Sequence, residues 1–173
     1  DLVRRGIGSQ LKVEKNQNDI YVTAGDVVVG INHRDGYLWL YQYKGKNFFN
    51  SWPELNFWRA PTDNDFGDGL PKRANVWRMA GNHYTAEHVD IADDKVVVRT
   101  VRLLKDVGEK CRLVYTINGK GEVAVEVEAS FSDRDLPELP RFGMLMSFRP
   151  DYEYLTWYGR GPQENYSDRN TGA

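Results

Sequence analysis

Asp63, Asp65 and Asp68 fall within one short stretch, Glu164 lies far downstream, and Arg59 precedes the three aspartates. Carboxylates so grouped suit two kinds of chemistry: acid–base or nucleophilic work on a glycosidic bond, and capture of a hard cation. The first needs two carboxyl groups about 5–5.5 Å apart for retention or about 6.5–9.5 Å for inversion, a separation no sequence displays. Each of the four acids also stands where a carboxylate caps a turn or pairs with an arginine, so no catalytic residue is assigned. An EF-hand loop opening at Asp63 would need an oxygen ligand at Gly67 and a bidentate glutamate at Ala74, and has neither. A different cation site stays open, but no metal ligand is assigned. His83 and His88 sit five apart on an expected strand, facing opposite ways, and His33 lies in a turn, so the three read as surface or structural residues. Gly159-Arg160-Gly161-Pro162 has the glycines of a phosphate loop, but Pro162 removes an N–H and no Lys-Ser/Thr follows.

The segment that must position the aspartates is Asn56-Phe57-Trp58-Arg59-Ala60-Pro61-Thr62-Asp63-Asn64-Asp65-Phe66-Gly67. Pro61 fixes its own φ and pushes Ala60 out of the helical region, while Asp63, Asn64 and Asp65 can bond back to nearby N–H groups. This composition predicts a rigid, non-repetitive loop anchored by burial of Phe57 and Trp58. The planar fork of Arg59 suits a carboxylate or several carbonyls. Directly after it, Gly67 and Gly69 flank Asp68, which predicts hinge-like freedom.

Elsewhere the pattern is one of strands. Short β-prone runs are expected at 10–14, 20–24, 26–31 and 37–41, with Asp35-Gly36 as a hairpin turn. Longer strands follow at 84–91, 95–103, 110–117 and 123–131, with Asp93-Asp94 and Asn118-Gly119 closing hairpins, and a further pair at 142–148 and 155–158. From Val123 to Ala129 apolar and acidic residues alternate, as in a sheet with one wet face. One short helix is expected over 72–80, with Pro71 at its first turn and Gly81 at its stop. The acidic stretch 133–139 reads as the crossing from one sheet to another. The expected architecture is all-β: a single antiparallel β-sandwich domain over 1–173.

The 173 residues carry 23 basic and 25 acidic side chains, a balance with no long-range pull toward phosphate backbones or anionic lipid, so neither nucleic acid nor membrane is expected as a partner. No run approaches the ~20 consecutive apolar residues of a membrane-spanning helix. Cys111 is the only cysteine and is expected to pack as a small apolar residue. Five Trp and ten Tyr suit contacts with pyranose rings, although sheets favour the same residues.

Asn56-Phe57-Trp58-Arg59-Ala60-Pro61-Thr62-Asp63-Asn64-Asp65, followed downstream by Gly159-Arg160-Gly161-Pro162-Gln163-Glu164-Asn165-Tyr166-Ser167-Asp168-Arg169, resembles the paired signature of the C-terminal small-chain domain of glycoside hydrolase family 2 β-galactosidases. Stretches 27–36, 71–81 and 139–148 also follow that domain's pattern. The resemblance implies a supersandwich similar to the galactose mutarotase fold. It makes Phe57, Trp58, Arg59, Pro61, Asp63, Gly161, Pro162, Glu164, Asn165 and Tyr166 structural members of the motifs. It places the reactive glutamates on a separate upstream (β/α)8 barrel, with which this domain would partner, and any Mg²⁺ and Na⁺ outside this domain, so no cofactor is expected here. It further implies that the loop at Asn64, Asp65, Gly67 and Asp68 borders the active-site mouth, opening and closing around a β-galactoside. The family's domain continues past the second motif and there supplies a tryptophan that stacks on the sugar, a role not transferred to Trp39, Trp52, Trp58, Trp77 or Trp157. A chain running from Asp1-Leu2-Val3 to Ala173 is thus expected to be a truncated piece of a larger polypeptide, with open sheet edges that favour a homo-oligomer. A bacterial cytoplasm or periplasm fits the resemblance. A free-standing carbohydrate-binding module and a mutarotase-like epimerase, the latter needing a Glu and His pair, are the alternative readings.

Overall fold

The computed structural model describes residues 11–32, 34–82, 84–92, 96–132 and 135–159, with the backbone course alone for 85–92. The described residues are mostly strands that pair antiparallel, giving the all-β class that the alternating pattern predicts. A five-stranded sheet runs β1 (Lys12–Lys15), β2 (Asp19–Ala24), β3 (Val27–Asn32), β4 (Leu38–Tyr43) and β5 (Lys46–Asn47) in simple meander order. A second meander comprises β7 (Tyr84–Ala92), β8 (Val97–Leu104), β9 (Glu109–Ile117) and β10 (Val123–Ala129). Between them in sequence, β6 (Phe49–Asn56) pairs with β11 (Gly143–Phe148) as a two-stranded ribbon.

Alternation builds the core directly. Ile20 and Val22 on β2 face Ile31 and Val29 on β3, and all four side chains are fully buried. Each such aliphatic side chain contributes about 1.5–3 kcal/mol by leaving water. On β8 the inward series is Val98, Thr100, Arg102 and Leu104, and on β9 it is Cys111, Leu113, Tyr115 and Ile117. Residues of both sheets join in one cluster with Leu55, Phe57, Leu70 and Trp77.

The two large sheets meet at their turns. Gly36 holds a positive φ of 63° in the β3–β4 turn, and a Cβ there would lie 2.8 Å from Thr100 Cβ, so only glycine lets the first sheet rest on the second. The Tyr41 hydroxyl donates to the Gly121 carbonyl at 3.0 Å in the β9–β10 turn. That connection spans residues 118–122 instead of closing tightly on Asn118-Gly119. The Asn118 side chain organises it by accepting from the Lys120 and Glu122 N–H groups at 2.9 and 3.1 Å, and the left-handed residue is Gly121.

Arg102 is the exception in this core, since it is 1% exposed and its Nε and Nη2 have no hydrogen-bond partner. Its guanidinium lies 4.2 Å from the centre of the Tyr84 ring. A desolvated cation–π contact returns about 2 kcal/mol, less than the several kcal/mol that burying an ion costs.

Three expectations need correction. The single helix over 72–80 is two short ones, α2 (Leu70–Arg73) and α3 (Trp77–Ala80), separated by Ala74-Asn75-Val76, where Trp77 N donates to Ala74 O and Arg78 N to Asn75 O in tighter i→i+3 turns. The rigid loop holds a further helical turn, α1 (Asp63–Gly67). Residues 143–148 do form a strand, but their partner is β6; residues 155–158 form none, and Leu155 and Tyr158 are exposed. The proposed turn at Asp93-Asp94 lies outside the described residues. The crossing at 133–139 does lead from β10 in one sheet to β11 in another. No described helix is long and apolar enough to cross a membrane.

Candidate functional site

The motif segment leaves β6 at Asn56, whose side-chain oxygen accepts from the Trp58 N–H at 3.1 Å and turns the chain. Phe57, 1% exposed, then drops into an aromatic nest, edge-on to Trp77 and Phe131 at centroid distances of 5.9 and 5.8 Å. Trp58 packs half-buried on the same core. Both aromatics anchor the segment as their types predict.

With its base anchored, the chain places Arg59 against Asp65. Two guanidinium nitrogens donate to the two carboxylate oxygens at 2.5 and 2.9 Å, the fork-on-fork geometry for which arginine is suited. The same carboxylate accepts from the Thr62 N–H at 2.7 Å, and the Thr62 hydroxyl in turn accepts from the Asp65 N–H at 3.3 Å. That reciprocal pair is a capping box, and it starts α1. The Arg59 hydrogen bonds, followed by the Thr62 N–H, hold the Asp65 carboxyl well below the usual carboxylate range.

Beyond the clamp the chain is exposed. Phe66 is 64% exposed, and Cβ atoms built on Gly67 or Gly69 would meet nothing within 4 Å. Gly69 has a positive φ of 73° and opens α2, with Pro71 in its first turn. Asn64 and Asp63 are exposed on α1, and the Asn64 carbonyl accepts from the Asp68 N–H at 3.0 Å. Arg73 limits the freedom of the turn: its Nη1 donates to the Asp68 carbonyl at 2.7 Å and its Nη2 to the Asp68 carboxylate at 2.6 Å. Arg73 also grips Glu138 on the chain between β10 and β11, through Nε at 3.1 and 3.2 Å and through Nη2. The Arg73 bonds lower the Glu138 pKa, while Glu138 first and Asp68 second raise that of Arg73. Gly81 ends α3 without a left-handed φ; it is required because a Cβ would stand 1.9 Å from the Leu55 carbonyl oxygen.

The structure thus brings Arg59, Pro61, Asp63, Asn64, Asp65, Gly67 and Asp68 into one corner, with the Asp65 and Asp68 carboxylates each engaged by an arginine. Gly161, Pro162, Glu164, Asn165 and Tyr166 lie outside the described residues, as do His33, His83 and the His88 side chain. The sequence reading missed Thr62, although Thr62-x-x-Asp65 has the capping-box spacing, and it missed Arg73 and Glu138, whose separation by 65 positions conceals the pair. No group of three or more His, Cys, Asp or Glu that could hold a metal occurs among the described residues. A shallow cleft of about 280 Å³ beside β4 and β6 is lined by Tyr37, Trp39, Phe49 and Trp52 with the amides of Asn47 and Asn50, and by no carboxylate.

The family model described as beta galactosidase small chain matches residues 23–173. A protein named Beta-galactosidase from Priestia megaterium (strain DSM 319 / IMG 1521) is 35% identical over 165 residues, covering 94% of this chain and 16% of its own length. Another from Clostridium acetobutylicum is 30% identical over 177 residues, covering 95% of this chain and 20% of its own. The chain therefore spans a sixth to a fifth of the length of these curated relatives. With the family model running through the clamped corner and on to residue 173, the chain belongs to the beta galactosidase small chain family.

Proposed function

We propose that the chain is a non-catalytic accessory domain of a β-galactosidase. It packs on the catalytic barrel of a parent enzyme that releases terminal β-D-galactose, and it lends the turn after α1 to the rim of the sugar site. The observation that carries this reading is the exposed Phe66–Gly69 turn standing on the Arg59–Asp65 clamp. The base is fixed, Arg73 holds Asp68 through a surface contact that can break, and the Phe66–Gly67 tip is open, a combination that suits a moving rim. Asn64, Gly67 and Asp68 would supply the surface facing the galactoside, and Asp65 would set its position through Arg59.

Gly67→Ala in the full-length parent tests this directly. Gly67 has no positive φ and open space where a Cβ would go, so alanine fits the turn as it stands. The expected result is a changed kcat or KM for a chromogenic β-galactoside with an unchanged thermal midpoint, because alanine restricts the other positions the turn visits. Unaltered kinetics would remove the rim role. The chain alone is expected to hydrolyse no β-galactoside.

The aromatic cleft supports a second reading, a carbohydrate-binding module. Trp52 is 45% exposed and its ring lies 5.1 Å from that of Tyr37. Trp39 beside them is fixed by its Nε1–H donating to Asp19 at 3.0 Å. Calorimetric titration with galactose and lactose separates the readings: heat that disappears in Trp52→Ala favours the module, and no heat favours the scaffold.

A further inference from the structure

Asp68 stands between the two glycines of the exposed turn, and one side chain, Arg73 of α2, bonds both its carbonyl and its carboxylate, at 2.7 and 2.6 Å. The same guanidinium donates to Glu138, through Nε at 3.1 and 3.2 Å and through Nη2. Both supports are well founded. Leu70, 7% exposed, and the fully buried Ala74 that ends α2 seat that helix on the core. Next to Glu138, the Pro137 carbonyl accepts from Trp77 Nε1 at 3.0 Å.

The side chains of Arg73, Asp68 and Glu138 are 42, 72 and 50% exposed. An isolated ion pair this wet is weak, because two long side chains must be ordered to make it and water screens the attraction. Glu138 changes that balance by ordering the guanidinium beforehand. Asp68 then meets a fork already in place, and joining it costs little further freedom. The Arg59–Asp65 clamp lies before Gly67 and fixes the base of the turn. Arg73 acts beyond that glycine, on the tip.

We propose that Arg73 is a positioning residue for the sugar site of the parent enzyme, and that Glu138, far from the turn in sequence, controls the turn through Arg73. The inference rests on the rim reading above. Arg73 holds the position in which the turn meets the galactoside; without it the turn spreads over several positions, and apparent affinity falls with the competent fraction.

The test makes two measurements on variants of the full-length parent. One is hydrogen exchange at the Asp68 and Gly69 amides, which donate to the Asn64 and Phe66 carbonyls at 3.0 and 3.2 Å. The other is steady-state kinetics on a chromogenic β-galactoside. Arg73→Met keeps the aliphatic stem and removes the donors, and Glu138→Ala leaves every residue of the turn in place. Exchange at the two amides should quicken about fivefold in Arg73→Met and about threefold in Glu138→Ala, the range for exposed ion pairs. The Phe66 amide, bonded to Thr62 at the base, should not change. KM should rise about twofold as the competent fraction halves, with kcat and the thermal midpoint held. Simple loss of folded enzyme would instead lower kcat and leave KM alone. Glu138→Ala should add nothing to Arg73→Met, since the one acts through the other. Unchanged exchange in Glu138→Ala, or additive effects in the double variant, would refute the coupling whatever Gly67→Ala does. Faster exchange with an unaltered KM, in an enzyme whose kinetics Gly67→Ala does change, would overturn the positioning role and leave the rim reading standing. Unaltered kinetics in all three single variants would remove both.

Discussion

Arg59 holds Asp65 with both prongs of its guanidinium, and this single contact converts a polar, proline-containing segment into a fixed corner. The acid is therefore part of the framework of the exposed turn. Because the pKa of Asp65 is depressed in the folded state, its contribution to stability is complete above its ordinary value of 3.8 and is lost as pH falls below that toward the folded value. Titration of the Asp65 carboxyl carbon by NMR should show it ionised at about pH 4, where ordinary aspartates are half protonated. A normal titration midpoint would contradict the clamp.

Thr62→Ala removes the hydroxyl that caps α1. The expected loss is about 1 kcal/mol, seen as a midpoint about 3 °C lower for a chain of this size. Thr62→Ser, which keeps the cap, should restore most of it.

Gly81→Ala should be far more damaging than its chemistry suggests. A Cβ 1.9 Å from the Leu55 carbonyl oxygen forces α3 away from β6, and the rigid backbone on the other side cannot yield as a flexible side chain would. We expect a loss of about 3 kcal/mol in denaturant unfolding. Gly67→Ala, with nothing within 4 Å, should be close to neutral in the same assay.

Cys111 should resist thiol reagents at about pH 8 in the folded protein and react fully on denaturation, since burial both shields it and raises its pKa to about 11. Rapid labelling of the native chain would show that β9 opens locally.

How much of this was legible in the sequence depends on the range of the interaction. The meanders were, because period-two burial is written locally: β8 alternates partly buried and buried along its whole length. The ribbon strand β6 was not, because Asn50, Ser51 and Pro53 read as breakers. Pro53 is tolerated near a shift in register with β11, where a regular ladder bond is not demanded. Arg59's choice of Asp65 is local and follows from residue types, whereas Arg73's choice of Glu138 depends on the path of the chain through four further strands, β7 to β10. The solitary burial of Arg102 had no signature at all, since an arginine in an alternating strand reads the same whichever face is wet.

Trp77 Nε1 donates to the Pro137 carbonyl at 3.0 Å, one residue from the Glu138 that Arg73 grips. The crossing segment is thereby stapled to the helical corner at two neighbouring points, one in the core and one at the surface. A spectroscopic label on this segment would act as a remote gauge of the Asp68 turn, registering any displacement there without altering the residues that form it.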